Sequence, residues 1–189
     1  MRDPWIRPGW LGAAKRFDSP HFDLRPADST IDLLVVHHIS LPPGQFIGTA
    51  VEDLFMGRLD PSSHPAFRAL QGLRVSSHFF IRRSGELLQF VSCDQRAWHA
   101  GVSVFRGRQR CNDFSIGVEL EGDGLHPFTQ AQYRRLYRLV PALITRYPLR
   151  FITGHENIAP GRKQDPGPTF QWGALLEALA PYGLQGPSA

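Results

Sequence analysis

Residues 31–40 read IDLLVVHHIS. Leu33, Leu34, Val35 and Val36 run together without polar alternation. That pattern fits a strand covered on both faces, as strands inside a largely parallel sheet are. Two adjacent histidines close the run. Neighbouring side chains on a strand point to opposite faces, so a reaction centre on one face is open to only one of them. His37 shares its face with Leu33 and Val35, and His38 points the other way. LPPG at 41–44 then breaks the strand.

Working outward, TAVEDLFMG (49–57) reads as a short helix capped by Thr49 and stopped at Gly57. VSSHFFIRRSGELLQFV (75–91) reads as two strands joined at Ser84-Gly85. DFSIGVELEG (113–122) is a further strand. Its alternation puts Phe114, Ile116, Val118 and Leu120 on one face and Ser115, Gly117, Glu119 and Glu121 on the other. PFTQAQYRRLYRLVPALITRYP (127–148) is the clearest helix. Thr129 and Gln132 have capping-box spacing. Tyr133, Leu136, Tyr137, Val140, Ile144 and Tyr147 make an apolar stripe, and Pro141 inside it should kink the helix or cost one hydrogen bond. RFITGH (150–155) is a short strand, and QWGALLEALAPY (171–182) a final helix. Strand, helix, hairpin, strand, helix, strand, helix is the order of a single α/β domain, a mixed central sheet flanked by helices. Residues 1–30 are expected to form an extended arm packed on the domain, residues 31–182 the domain itself, and residues 183–189 a loose tail.

Bulk properties narrow the function. The chain has 189 residues, 42% hydrophobic and 20% charged, so it is long and apolar enough for one packed core. A formal charge of +4 is mild and no basic run of five residues occurs, which argues against a dedicated nucleic-acid-binding domain. No apolar stretch is long enough to span a membrane, and the first residues lack the apolar core of a secretory signal. The two cysteines, Cys93 and Cys111, make neither a CxxC pair nor a disulfide framework. A reducing, cytoplasmic setting is the expectation.

Eight histidines are available for chemistry. Besides the pair at 37–38, GHENIAPGRKQDPGP (154–168) carries His155 just after a strand, then Lys163 and Asp165 in a proline-stiffened loop. Imidazole and carboxylate are both good zinc ligands, and these two can converge if the loop folds back. Otherwise the segment is a plain connection. Glu119, on a glycine-bearing sheet face, is either solvated or part of a site, where it could serve as a general base. Only Lys15 and Lys163 are lysines among 21 basic residues, which marks Lys163 as a place for a compact ammonium near a developing oxyanion, or as one retained surface lysine. Trp98 and His99 are candidates for a cleft wall, and Arg74 and Arg110 for carboxylate contacts.

The segments LLVVHHISLPPG, LRVSSHFFIRRSGELLQFV, RAWHAGVS, RCNDFSIGVELEG, ITGHENIAPGRKQDPGP and FQW occur in that order. Together they resemble the AmpD-type N-acetylmuramoyl-L-alanine amidases. These are cytosolic zinc amidases of cell-wall recycling in Gram-negative bacteria, in the superfamily of phage T7 lysozyme and the peptidoglycan recognition proteins. The resemblance runs from about residue 17 to 172. It implies zinc held by His37, His155 and Asp165, proton transfer by Glu119 and oxyanion stabilisation by Lys163. It implies substrate contacts by Arg74 and Arg110, with Trp98 and His38 as further candidates. The substrate implied is an anhydro-muropeptide, cleaved between 1,6-anhydro-N-acetylmuramic acid and L-alanine by a monomer that engages neither nucleic acid nor membrane. Close relatives usually carry Asn where this chain has His38, and Pro141 is also a departure. Two rivals within the superfamily are a non-catalytic peptidoglycan-binding module and an envelope amidase acting on intact murein.

Overall fold

The computed structural model describes residues 4–187. Its centre is a six-stranded mixed sheet. In chain order the strands are β1 (Lys15–Arg16), β2 (Leu33–Ile39), β3 (Phe79–Ile81), β4 (Leu87–Gln89), β5 (Ser115–Glu121) and β6 (Phe151–Gly154). In space they lie in the order β6-β2-β5-β3-β4-β1. The pairs β6–β2, β2–β5, β5–β3 and β4–β1 are parallel, and the β3–β4 hairpin is antiparallel. At the hairpin turn Gly85 adopts φ +84°, a conformation that favours glycine.

β2 is interior, paired on both edges, and Leu33 to Val36 are fully buried. Its alternation separates two cores. Leu34 and Val36 join Ile116, Val118 and Leu120 beneath helices α2 (Gln130–Ile144) and α4 (Trp172–Leu179). Leu33 and Val35 face the opposite layer with Ala100, Cys111 and Ile158. On that same side, further along the sheet, Phe80 and Leu88 pack against Val51, Leu54 and Phe55 of helix α1 (Ala50–Phe55).

Some local expectations are corrected. Phe114 packs with Leu33 and Val35, not with Ile116. It precedes β5 at φ −128°, ψ 14°, so strand alternation begins only at Ser115. Thr49 does precede α1, but its hydroxyl donates to the Asp53 carboxylate and caps no backbone N–H. The α2 capping box is present, and Gln132 does more than cap. Its side chain accepts from Thr129 N and donates to the carbonyls of Ile81 and Glu121, tying α2 to β3 and β5. That anchor turns the buried face of α2 toward Leu139 and Leu143, while Tyr137 and Ile144 are only half-buried. Pro141 lies within the helix, which continues through it.

Residues 4–30 of the N-terminal arm pack on the domain and contribute β1 to the sheet edge, and Phe22–Asp23 pairs with Arg96–Ala97, while residues 1–3 lie outside the described residues. Residues 183–187, expected to be loose, include a docked segment. Gln185 N donates to Arg150 O and Ile152 N to Gln185 O, each at 2.9 Å, which covers the free edge of β6. Residues 188 and 189 of that tail lie outside the described residues. No helix among the described residues is long and apolar enough to cross a membrane.

Candidate active site

The candidate site lies where β2, β5 and β6 end together. In-register parallel pairing places Glu119 of β5 beside His37 of β2, with side chains on the same face. His155 follows β6 directly and opens the one-turn helix α3 (His155–Ile158). Asp165 arrives from the loop after α3, and Glu156 N donates to its backbone carbonyl at 2.8 Å, so the loop folds back on the helix.

Three donor atoms converge. His37 Nδ1 lies 2.9 Å from His155 Nδ1, and each lies 3.0 Å from Asp165 Oδ2. Both imidazoles are buried, and the carboxylate is only slightly exposed. Tetrahedral zinc with ligands at about 2.0–2.1 Å holds them roughly 3.3 Å apart, so the triangle needs little expansion to accept such an ion. The donor set fits as well, with two imidazole nitrogens and one carboxylate oxygen. Burial pushes the His37 imidazole down to about 4, which keeps the ring neutral, with one nitrogen lone pair free, at neutral pH. Burial alone would raise Asp165, but its close contacts with His155 and His37 hold it well below the usual carboxylate range. Among the described residues, these three form the one group placed to hold a metal ion.

The triangle opens on a cavity of about 300 Å³. His38, Trp98, Glu119, Lys163 and Asp165 supply polar groups, and Ile39, Leu41, Leu70 and Val75 line it with apolar surface. Glu119 is 8% exposed and its Oε2 has no hydrogen-bond partner. Burial first, and then the Asp165 charge, push its carboxyl well above the usual range, with Lys163 opposing. Glu121, on the same strand face, is neutralised elsewhere by Arg82 and by the Arg83 backbone N–H. The two acidic residues therefore differ sharply, and only Glu119 is left free for chemistry.

Most of the sequence-derived candidates meet here. His38 lines the cavity with its ring near Gly124. Trp98 lines the cavity, its indole N–H donating to Asp23. Arg74 does not line it. It borders an adjoining hollow of about 160 Å³ that shares Leu54, Leu70 and Leu73 with the cavity. Arg110 is 68% exposed, pairs with Asp113 and is likewise absent from the cavity lining.

One residue exceeds its expected role. His99, read from the sequence as cleft wall, places Nδ1 2.9 Å from His37 Nε2, on the side of the ring away from the triangle. The signal available in the sequence was Gly117, whose missing side chain leaves the space that the His99 ring occupies.

Parallel strands ending at a His-His-Asp triangle that could hold a metal ion, beside a buried glutamate in a cavity, are the arrangement of a hydrolase site. The N-acetylmuramoyl-L-alanine amidase family model matches residues 27–168, and the chain belongs to that family. The chain is 55% identical over 175 residues to the 1,6-anhydro-N-acetylmuramyl-L-alanine amidase AmpD of Citrobacter freundii, covering 92% of this chain and 94% of that protein. A crystal structure of a selenomethionine AmpD derivative superposes with a TM-score of 0.88 at 55% identity, covering 93% of this chain and 98% of that one. A complex of the Escherichia coli amidase AmiD with the substrate anhydro-N-acetylmuramic acid-L-Ala-D-γ-Glu-L-Lys superposes with a TM-score of 0.59. Its identity is 30%, and the match covers 82% of this chain and 60% of that one.

Proposed function

We propose that this protein hydrolyses the amide between 1,6-anhydro-N-acetylmuramic acid and the L-alanine of a stem peptide. It would act on soluble fragments in the cytoplasm during peptidoglycan recycling, as a zinc-dependent monomer. The observation that carries the reading is the convergence of His37, His155 and Asp165 beside the unpartnered carboxylate oxygen of buried Glu119. Similarity to AmpD along nearly the whole chain supports the choice of substrate.

His37 Nδ1, His155 Nδ1 and Asp165 Oδ2 would hold the zinc. When bound, the ion supplies Lewis acidity, polarising the scissile carbonyl and making water acidic near neutral pH. Glu119 takes the proton of the attacking water and returns it to the leaving amine. Burial raises its carboxyl above the usual range, and a carboxylate in such a cleft can take a proton and give it back. The Lys163 ammonium at the cavity wall offsets charge developing on the carbonyl oxygen. The apolar wall receives the sugar and alanine, with Trp98 and His38 at its edge. Arg74 and Arg110 stand outside this cavity and suit the outlying carboxylates of the stem peptide.

The test is product mass spectrometry on an anhydro-muropeptide with wild type and Glu119→Ala, alongside metal analysis and a parallel assay on intact murein. The expected result is release of the free peptide, one zinc per chain in both proteins, and turnover lost in the variant. A fully active Glu119→Ala enzyme would remove Glu119 from the mechanism. Wild-type protein that cannot be loaded with zinc and cleaves nothing would point to a binding module. Faster release from murein than from the soluble fragment would point to an envelope amidase.

A further inference from the structure

A metal ligand is only as good as the orientation of its lone pair, and a histidine has two nitrogens to choose between. What fixes that choice is the partner of the nitrogen that faces away. In this chain one dipeptide, His99-Ala100, meets the outward nitrogens of both histidines in the triangle. His155 Nε2 lies 3.0 Å from Ala100 O, a carbonyl that also accepts from Arg162 Nη2 at 2.7 Å. A carbonyl can only accept. His155 therefore carries its proton on Nε2 and turns the Nδ1 lone pair inward. His37 Nε2 lies 2.9 Å from His99 Nδ1, with the two rings at 83°. Here the partner is another imidazole, and the direction of the bond depends on where His99 keeps its own proton.

The surroundings of His99 are built to hold it. Asn112 Oδ1 accepts from His99 N at 3.2 Å and Ala100 N at 2.8 Å, clamping the dipeptide. The His99 ring lies against β5 at Gly117, where a Cβ would come within 2.5 Å of His99 Cγ. Ser115 Oγ lies 3.3 Å from His99 Nε2. His78 takes no part in the relay itself. Its Nδ1 accepts from Gly117 N, and its ring packs on His99 edge to face.

We propose that His99 is a positioning residue for the metal centre. It carries its proton on Nε2, facing Ser115, and accepts the His37 Nε2 proton on Nδ1. The Nδ1 lone pair of His37 is thereby committed to the triangle. Gly117 is the space that permits this contact, and Asn112 is the clamp that holds it. The inference rests on the metal-site reading above.

The experiment is competitive zinc titration of the full chain against a chromophoric chelator, comparing wild type with three variants. His99→Leu removes the acceptor and should weaken zinc 10–100-fold, the usual cost of losing such a partner. His99→Asn, whose Oδ1 can stand where Nδ1 stood, should stay within a few-fold of wild type. Gly117→Ala leaves His99 chemically intact but drives its ring away, and should weaken zinc as His99→Leu does. A long-range proton–nitrogen NMR spectrum of zinc-loaded wild type needs no variant to fold. It should show a proton on His37 Nε2 and none on His99 Nδ1. Wild-type affinity in His99→Leu, equal losses in His99→Leu and His99→Asn, or a proton on His99 Nδ1 would each overturn the inference while leaving the amidase reading intact. A wild-type protein that binds no zinc overturns the metal-site reading, and this inference with it.

Discussion

Stripping the metal and lowering the pH from 7.5 to 5.5 should destabilise this protein far more than its modest charge suggests. His37 and His78 are buried and His99 is half-buried, and removal from water holds all three below the ordinary histidine value, His37 at about 4. In the unfolded chain the same groups take protons near pH 6.5. As pH falls through that value the unfolded state gains protons that the folded state refuses, so stability is lost toward acid. It is fully present above about 6.5 and drains away below it. Each such group costs about 1.4 kcal/mol per pH unit below 6.5. His37, held at about 4, contributes about 1 kcal/mol at pH 5.5, and His78 and His99 add in the same direction, against a typical total of about 5–15 kcal/mol. Half-buried His38 shifts in the same direction and adds a smaller part. Asp165 contributes nothing in this window, because its depressed value stabilises the fold until pH drops below the ordinary carboxylate range near 3.8. Urea unfolding of metal-free protein at constant ionic strength, at pH 7.5, 6.5 and 5.5, measures the effect. Zinc added to 100 times its Kd at a fixed pH should restore about 2.7 kcal/mol. A change of less than about 1 kcal/mol between pH 7.5 and 5.5 would refute the picture of imidazoles held neutral by burial.

Four further outcomes are expected. His37→Ala should lose zinc and activity together, whereas His38→Asn should keep zinc and most activity, as measured by metal analysis and turnover of the soluble substrate. Lys163→Met should fold and bind zinc normally yet lower kcat by about 10²–10³, the usual cost of removing an oxyanion donor; an unchanged kcat would restrict Lys163 to a structural role. Gln132→Leu should cost about 3–5 kcal/mol in denaturant unfolding, because it deprives two buried carbonyls of their donor and breaks a helix cap. The thiols of Cys93 and Cys111, both buried and both raised by that burial, should react with a thiol reagent only on unfolding; fast labelling of native protein would show that these segments open.

Where a feature depends on neighbours in the chain, the sequence was a good guide. The unbroken apolar run before His37 marks an interior strand, Ser84-Gly85 marks a hairpin, and Thr129 with Gln132 marks a helix start. Each of these signals is a matter of spacing and turn chemistry within a few residues. The errors fall where a distant contact overrides local periodicity. Phe114 leaves its strand face because the strand starts one residue later. The buried face of α2 is rotated because Gln132 is tied to two strand ends. The tail is held at Gln185 because β6 has an open edge to cover.

The residue types gathered at the candidate centre could also be singled out in the sequence, since few side chains hold a metal or move a proton and their motifs are distinctive. Their assembly could not. His37 and His155 are 118 positions apart and His37 and Asp165 are 128, and they meet only because β2, β5 and β6 run parallel and end together. Residue types and local elements were thus determined by the sequence alone. Which nitrogen of each histidine faces inward, that Glu119 and not Glu121 is left unpaired, and that His99 stands behind His37 were decided by tertiary structure. The physical reason is that orientation, burial and hydrogen-bond partnership are properties of packed neighbours, and packing brings those neighbours from every part of the chain.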